Sequence, residues 1–352
     1  GTIWAATKDG MIHLYDALLK EEGMPTEKGT IGKGNPLRGI AYCITEDSQQ
    51  NIWIGTKGEG IYRLTPDEGG ETYAIHRIQH SPGDIHSLSD NHVYSIYEDK
   101  NGNIWVGTFG GGINLILHGT GGERVIHHGN GLTGYPFSLG DQVRIINEDR
   151  YGNICVGTTL GLIMFDPDFR SADAISYKTY VHNSDDPGTV GANDIIDICT
   201  TEDGETFIGS FGGGISRVSE TDSMGFPILF ETYDSNHGLP SNIILSLQED
   251  RLGNIWVGSE GGLTKFNRSD ETFENFSEMK RLLKRNNFSE DSRCRLRDGR
   301  MLFGYSHGMI LFDPDQVRNN TFNPYLALVQ FRLFNRSVPI TPDGPLKRDI
   351  HL

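Results

Sequence analysis

From Val93 the chain reads VYSIYED, KNG, NIWVGT, FGG and GINLIL, so that short apolar runs alternate with clusters of Gly, Asn and Asp. Runs this short, rich in β-branched and aromatic residues and bounded by turn formers, each predict one β-strand. Asn101-Gly102 predicts a tight type I′ hairpin, in which both central residues need positive φ. The glycines at 110–112 predict a sharp turn into a third strand. A less regular fourth strand follows, as in YAIHRIQ from Tyr73 or FENF from Phe273. The local unit is therefore an antiparallel four-stranded meander.

The pattern recurs about every fifty residues, which changes the reading of the whole chain. Aligned on Trp105, one column holds Trp4, Trp53, Trp105, Cys155, Phe207, Trp256 and Leu302, and it contains all four tryptophans. Relatives of the hairpin signal are Tyr151-Gly152, Asp203-Gly204, Leu252-Gly253 and Asp298-Gly299. A lone meander cannot bury both faces. Seven of them stacked around an axis can, with only short edges left, and the fold class predicted is all-β: a seven-bladed β-propeller of four-stranded antiparallel blades. The aligned column is expected to be structural core between neighbouring sheets, where one large aromatic removes about 150–250 Å² from water. Six first strands but seven second and third strands are countable, so the opening blade is expected to lack its inner strand. The propeller is expected over residues 1–318. Residues 319–352 break the period, with one good strand from Leu326 to Phe334 followed by prolines.

Composition narrows the function. A formal charge of −16 disfavours a nucleic-acid backbone or an anionic membrane as partner. No apolar run approaches the roughly 18 residues of a membrane helix. The chain opens inside a repeat with no signal peptide ahead of it, and is read as an excerpt of a larger polypeptide. Cys43, Cys155, Cys199 and Cys294 fall in predicted strands without CxxC spacing, so buried free thiols are expected rather than a zinc site.

The stretches SLSDNHVYSIYEDKNGNIWVGTFGGGI and GLPSNIILSLQEDRLGNIWVGSEGGL carry a family likeness. They resemble the two-component regulator propeller repeat, which builds the sensor region of bacterial hybrid two-component regulators of the Bacteroides type. The likeness covers roughly residues 1–318. The closing FDPDQVRNNTFNPYLALVQFRLFNRSV looks like the junction into a Tyr-rich Ig-like domain, here truncated after its first strand or strands. The resemblance implies a periplasmic sensor that is commonly homodimeric and recognises oligosaccharides from complex glycans, as in polysaccharide utilisation. It implies membrane attachment only through C-terminal segments missing from this chain. The histidine kinase activity of such a receptor would lie outside this fragment, which is itself expected to be no enzyme, with no cofactor and no bound nucleic acid. Blade seven departs most from the pattern, with Leu302 in the Trp column and SRCRLRDG at the usual acidic end.

The repeats also separate scaffold from display. Three residues after the Trp column stands mostly a small hydroxyl, as in Thr56, Thr108 and Ser210, suited to a local backbone hydrogen bond. The next position varies freely through Lys57, Phe109, Phe211 and Glu260. Where inner strands begin, Asn91, Asp141, Asn193 and Asn242 share a turn role, and the residues after them, His92, Gln142, Asp194 and Ile243, differ. Variation on a fixed frame at the mouth of a ring suits recognition. Sugars are held by aromatic faces and planar polar groups, so the candidate ligand-binding residues are Arg38, Lys57, His92, Phe109, Gln142, Asp194, Phe211, Glu260 and Tyr305.

Other constellations recede. His80 in HSPGDIHSL recurs as His182 in HNSDDPGTV, a repeat position rather than a metal site. The GGG runs lack the helix that a phosphate loop needs. The pairs Glu98-Asp99, Glu148-Asp149 and Glu249-Asp250 precede hairpins and read as turn capping. The competing function is a metal-dependent propeller enzyme of the lyase or lactonase type acting at the axial mouth. It would need a compact metal and His-base set there, and His92, Asp194 and Glu260 come from different blades.

Overall fold

A computed structural model describes residues 2–7, 10–26, 28–32, 37, 39–69, 72–119, 122–168, 175–276, 287–317, 331–333 and 336–338. The chain divides into two compact units, Gly1–Val317 and Arg318–Leu352. In the first unit, blade one comprises β1 (Ile3–Ala6), β2 (Ile12–Tyr15), β3 (Glu21–Pro25) and β4 (Ile31–Gly32). Blade two comprises β5 (Ala41–Glu46), β6 (Ile52–Thr56), β7 (Ile61–Pro66) and β8 (Tyr73–Ile78). Blade three has β9 (Val93–Glu98), β10 (Ile104–Thr108), β11 (Gly112–Gly119) and β12 (Gly122–His127). Blade four has β13 (Val143–Glu148), β14 (Ile154–Thr158), β15 (Leu162–Phe165) and β16 (Lys178–Tyr180). Blade five has β17 (Ile195–Thr200), β18 (Thr206–Ser210), β19 (Gly214–Thr221) and β20 (Pro227–Tyr233). Blade six has β21 (Ile244–Glu249), β22 (Ile255–Ser259), β23 (Gly262–Asn267) and β24 (Thr272–Phe276), and blade seven has β25 (Phe288–Arg295), β26 (Met301–Tyr305) and β27 (Gly308–Phe312). Every sheet is an antiparallel meander in chain order, and the inner strands β5, β9, β13, β17, β21 and β25 pack in succession around the axis. The fold is the expected seven-bladed β-propeller.

The Trp column shows why the blades stack. Trp53, Trp105, Phe207 and Trp256 are fully buried on their second strands, and Cys155 and Leu302 are buried beside them. Trp105 packs edge-on to Phe165 of the next blade at 5.1 Å between ring centroids. Each such ring fills the space between two sheets and contributes a few kcal/mol, at about 25 cal/mol per Å² of apolar area. Trp4 differs. It is only half-buried and meets Tyr73 edge-on at 5.7 Å.

The hairpins correct the expected turn type. Gly102 has φ 79°, but Asn101 does not lie at positive φ, and the amide of Gly102 donates to the Asp99 carbonyl at 2.8 Å while that of Asp99 donates to the Asn103 carbonyl at 2.9 Å. This is a type I turn followed by one left-handed residue, so a single glycine suffices. Blade two even places Gln50 there, at φ 66°.

The acidic pairs divide their labour. Asp99 caps its own turn, accepting from the amides of Asn101 and Asn103 at 2.9 Å each, and its other oxygen accepts from Trp105 Nε1 at 2.9 Å. Asp47 and Asp250 hold Trp53 and Trp256 in the same way, at 2.8 and 2.9 Å. Glu98 instead reaches the preceding blade, accepting from the Ser48 amide at 2.6 Å and its hydroxyl at 2.7 Å. Glu148 takes the Lys100 amide and Glu249 the Glu202 amide, both at 2.9 Å. One acid thus fixes the turn and the indole; its neighbour ties blade to blade.

Blade one is displaced by one strand. β1 carries Trp4 and pairs with β2 as β6 pairs with β7, so it is a second strand, and among the described residues no strand covers its inner edge. The short β4 makes up the fourth strand on the outside, and blade seven shows three strands among the described residues. All four cysteines lie in strands and are free, but only Cys155 and Cys199 are buried as expected: Cys43 is half-buried and Cys294 is exposed, since among the described residues no strand of blade one packs over β25. In the second unit, β28 (Phe331–Leu333) and β29 (Arg336–Val338) form a hairpin. The rest of the strand expected from Leu326 to Phe334, and of the Ig-like segment, lies outside the described residues.

Candidate functional site

Each inner strand begins with the same irregularity. Val93 stands opposite Thr108 and Ser95 opposite Gly107, which leaves Tyr94 unpaired in a β-bulge. The same break isolates Tyr42 in β5, Arg144 in β13, Ile196 in β17 and Leu245 in β21. A bulge inserts one residue and re-aims its side chain. Five blades therefore present Tyr, Tyr, Arg, Ile and Leu from one equivalent position. In blade seven the break is larger, since Phe288 pairs with Tyr305 and the next pair is Arg293 with Phe303, and Asp291 in this loop has φ 45°.

The bulge residues of blades two to four assemble with the rim above them. Tyr42 stacks on Tyr94 at 4.0 Å between centroids, and Tyr94 on Phe109 at 4.8 Å. The Arg144 guanidinium lies over the Phe109 ring at 5.8 Å. Arg144 is held in turn by Asp194, with Nε and Nη2 donating to the two carboxylate oxygens at 2.7 and 3.0 Å, and by Glu290 at 3.1 Å. Burial pushes the Tyr94 hydroxyl well above the ordinary tyrosine range, with the hydrogen bond to Tyr42 acting in the same direction. The result is a ladder of three rings closed by a planar cation, at the edge of a cavity of about 1730 Å³ that Tyr42, Tyr94 and Arg144 line.

Deeper in the channel Arg293 spans from blade seven to blade five, where Nε and Nη2 donate to the buried Asp197 at 2.8 and 2.5 Å. Asp197 also accepts from the Leu247 amide at 2.6 Å, so one carboxylate joins three blades. Burial raises the Asp197 carboxyl above the usual aspartate range, and Arg293 pulls the other way.

Of the residues expected at the site, Phe211, Glu260 and Tyr305 line the cavity. Phe109 and Asp194 sit one contact behind it, through Tyr94 and Arg144. Lys57, His92 and Gln142 form the rim itself, since Lys57 bridges to His92 and Phe109 to Gln142 across neighbouring blades. The His92 ring is turned onto Asp90 at 2.8 Å. Arg38 lies outside the described residues. Tyr42, Tyr94, Arg144 and Glu290 were missed because strict alternation along an inner strand hides a bulge. The signal for the first three was the unlike Tyr, Tyr, Arg, Ile and Leu at one aligned position; Glu290 lies in the larger break of blade seven and had none.

His80 and His182 prove equivalent, their Nδ1 atoms meeting the carbonyls of Leu88 and Val190 at 2.6 and 2.8 Å. Among the described residues no three His, Cys, Asp or Glu side chains converge as metal ligands would.

The family model for the two component regulator propeller matches residues 38–58, 87–110 and 238–261, which are the rim, inner strand and second strand of blades two, three and six. Three of the seven blades thus match this propeller repeat. Histidine kinase P4 of Formosa agariphila is 25% identical over 281 residues, 78% of this chain and 19% of the relative, so the chain spans about a fifth of the curated relative's length. Three solved structures share the fold at low identity. PorZ, a surface component of the type-IX secretion system of Porphyromonas gingivalis, has a TM-score of 0.63 at 18% identity over 89% of this chain and 45% of PorZ. A catalytically inactive virginiamycin B lyase from Staphylococcus aureus with quinupristin has a TM-score of 0.59 at 16% identity over 88% of this chain and 89% of the lyase. A structure described as the extracellular domain of a hybrid two component system from B. thetaiotaomicron has a TM-score of 0.50 at 18% identity, over 90% of this chain and 46% of that one.

Proposed function

We propose that this propeller is the periplasmic ligand-sensing part of a hybrid two-component regulator, that it binds an oligosaccharide of complex-glycan origin at the axial mouth, and that it leaves the sugar chemically intact. The observation that carries this reading is the Tyr42–Tyr94–Phe109 ladder ending in Arg144. Pyranose rings offer apolar faces to aromatic rings and hydroxyls to planar charged groups, and both occur here within a few ångströms. The histidine kinase relative and the matched propeller repeat support a signalling role. On this reading the kinase lies elsewhere in the polypeptide and the receptor is a homodimer. No helix among the described residues is long and apolar enough to cross a membrane.

A panel of glycan oligosaccharides, screened by thermal shift and followed by calorimetry, tests the proposal, because a ligand selective for the folded state raises its apparent stability by mass action. Saturable binding with the saccharide recovered unchanged is expected. Turnover of the bound saccharide would instead favour the propeller-lyase alternative, and a panel without any binder would remove the sugar assignment.

A further inference from the structure

Among the described residues, five of the six contacts that run from blade one to blade seven hold a large aromatic ring, on the Trp-column residue, on the third-strand residue it meets in the next blade, or on both. Trp105 meets Phe165, Phe207 meets Phe266 and Trp256 meets Phe312, with ring centroids 5.1, 6.0 and 4.9 Å apart, and Trp4 and Trp53 supply the ring at the first two contacts. Between blades four and five the pair is Cys155 and Val218. Cys155 faces Met164 as Trp105 faces Leu115, and Val218 follows Arg217, the partner of Phe207, as Phe165 follows Met164. Small side chains thus stand in both ring positions. A cavity of about 200 Å³ lies there, lined by Cys155, Met164, Ile208, Val218, Pro227 and Asp149. The exposed residues Arg150 and Tyr151 line it as well, so it can be reached from solvent.

The polar end of the cavity is specific. Asp149 is more than nine-tenths buried. Its Oδ1 accepts from the amides of Tyr151 and Asn153, and its Oδ2 from the Asn153 side chain, each at 2.8 Å. In blades two, three and six the same Oδ2 accepts from the asparagine side chain and from the indole N–H of the Trp column. Here the Cys155 thiol turns to the Asn153 carbonyl at 3.8 Å, and among the described residues no second side chain donates to Asp149 Oδ2. A buried carboxylate oxygen short of one donor, at the end of an apolar slot, asks for a flat molecule with a single N–H.

We propose that this cavity is a second ligand site, separate from the axial mouth, for a small planar heteroaromatic of the indole class, which takes up the space and the aspartate oxygen that a tryptophan takes up in blades two, three and six. Size agrees with the chemistry, since apolar cavities of about 150 Å³ accept a benzene ring and this one is somewhat larger. The volume suits one bicyclic ring and leaves no room for a peptide backbone, so the occupant is a free molecule rather than the side chain of another protein. Bound there, it would wedge blade four against blade five as Trp105 wedges blade three against blade four.

Calorimetric titration of indole into the chain tests this, with saturable one-to-one binding expected at a Kd below about 1 mM. Indene, which has the same shape without the N–H, should bind at least tenfold more weakly, and so should N-acetyltryptophanamide, which carries a backbone. Magnetic resonance contacts from the bound ring should reach the Val218 methyl groups. Cys155→Trp rebuilds the indole of the other blades and Val218→Phe restores the facing ring, and either should abolish binding in a folded protein. Should both variants fail to fold, the Val218 contacts and the indene comparison decide the matter. Absence of saturable indole binding overturns the proposal, as do ring contacts confined to the axial mouth or binding retained in a folded variant. Equal affinity for indene removes the role of Asp149, and equal affinity for N-acetyltryptophanamide moves the source to a protein side chain; each overturns the assignment as stated. None of these outcomes depends on sugar binding at the mouth.

Discussion

Trp105 Nε1 donates to Asp99 at 2.9 Å across a hairpin whose amides the same carboxylate also holds. The largest core side chain and the tightest turn of the blade are therefore fixed by one buried acid. Asp99→Ala strands an indole N–H inside the core and should destabilise the fold by about 2–3 kcal/mol. Asp149→Ala should have a smaller effect, because Cys155 replaces the indole in blade four and only the turn amides and the Asn153 side chain lose their acceptor. Urea denaturation of the two variants measures the difference; equal losses would mean that the indole bond contributes nothing.

Packing between blades predicts a second contrast. Trp105→Ala empties a fully buried site and should destabilise by about 3–5 kcal/mol. Trp4→Ala should lose less than half as much, since that ring already borders open space. Chemical denaturation of both variants checks the order, and a Trp4 loss matching that of Trp105 would contradict the incomplete first blade.

The blade-to-blade latch has a local readout. Glu98→Ala removes the acceptor of the Ser48 amide and hydroxyl at a partly exposed site, so the global loss should stay near 1 kcal/mol or below. Hydrogen exchange at the Ser48 amide should nonetheless accelerate at least tenfold. An unchanged rate would show that the turn stands without its neighbour.

Burial raises the carboxyls of Glu148, Asp149, Asp197 and Glu249 above their unfolded values. A raised carboxyl is protonated more readily in the folded state, so folding takes up protons and these groups favour the fold increasingly as pH falls toward the ordinary carboxylate range. Urea midpoints should therefore be higher at pH 5.5 than at pH 8. Asp203 and Asp234, held below the usual range, act oppositely at lower pH, where their paired forms are lost, and His127, held low by burial, opposes the trend within the window as a single group against four. A midpoint that rises from pH 5.5 to pH 8 would contradict this assignment.

The architecture was legible because packing repeats: the column from Trp4 to Leu302 gave the period, and the period gave the ring. That no strand covers the inner edge of β1 among the described residues was also readable, since six first strands but seven second and third strands can be counted. Local departures were not. The dipeptide Asn101-Gly102 fits two turn types, and only the hydrogen bonds of Asp99 separate them. Tyr94 and Arg144 look like ordinary strand residues until the bulge displaces them from alternation. Glu290 comes near Arg144 across 146 positions of sequence, a pairing that no local pattern encodes.

The account turns on the stacked rings at the mouth, and a calorimetric titration of the oligosaccharide selected by the panel into the unaltered chain and into Tyr94→Ala tests them most directly. Loss of the middle ring of the ladder should weaken binding at least tenfold, about 1.4 kcal/mol, with the saccharide still recovered intact. Affinity unchanged by Tyr94→Ala in a protein that still folds would place recognition elsewhere and contradict the central claim.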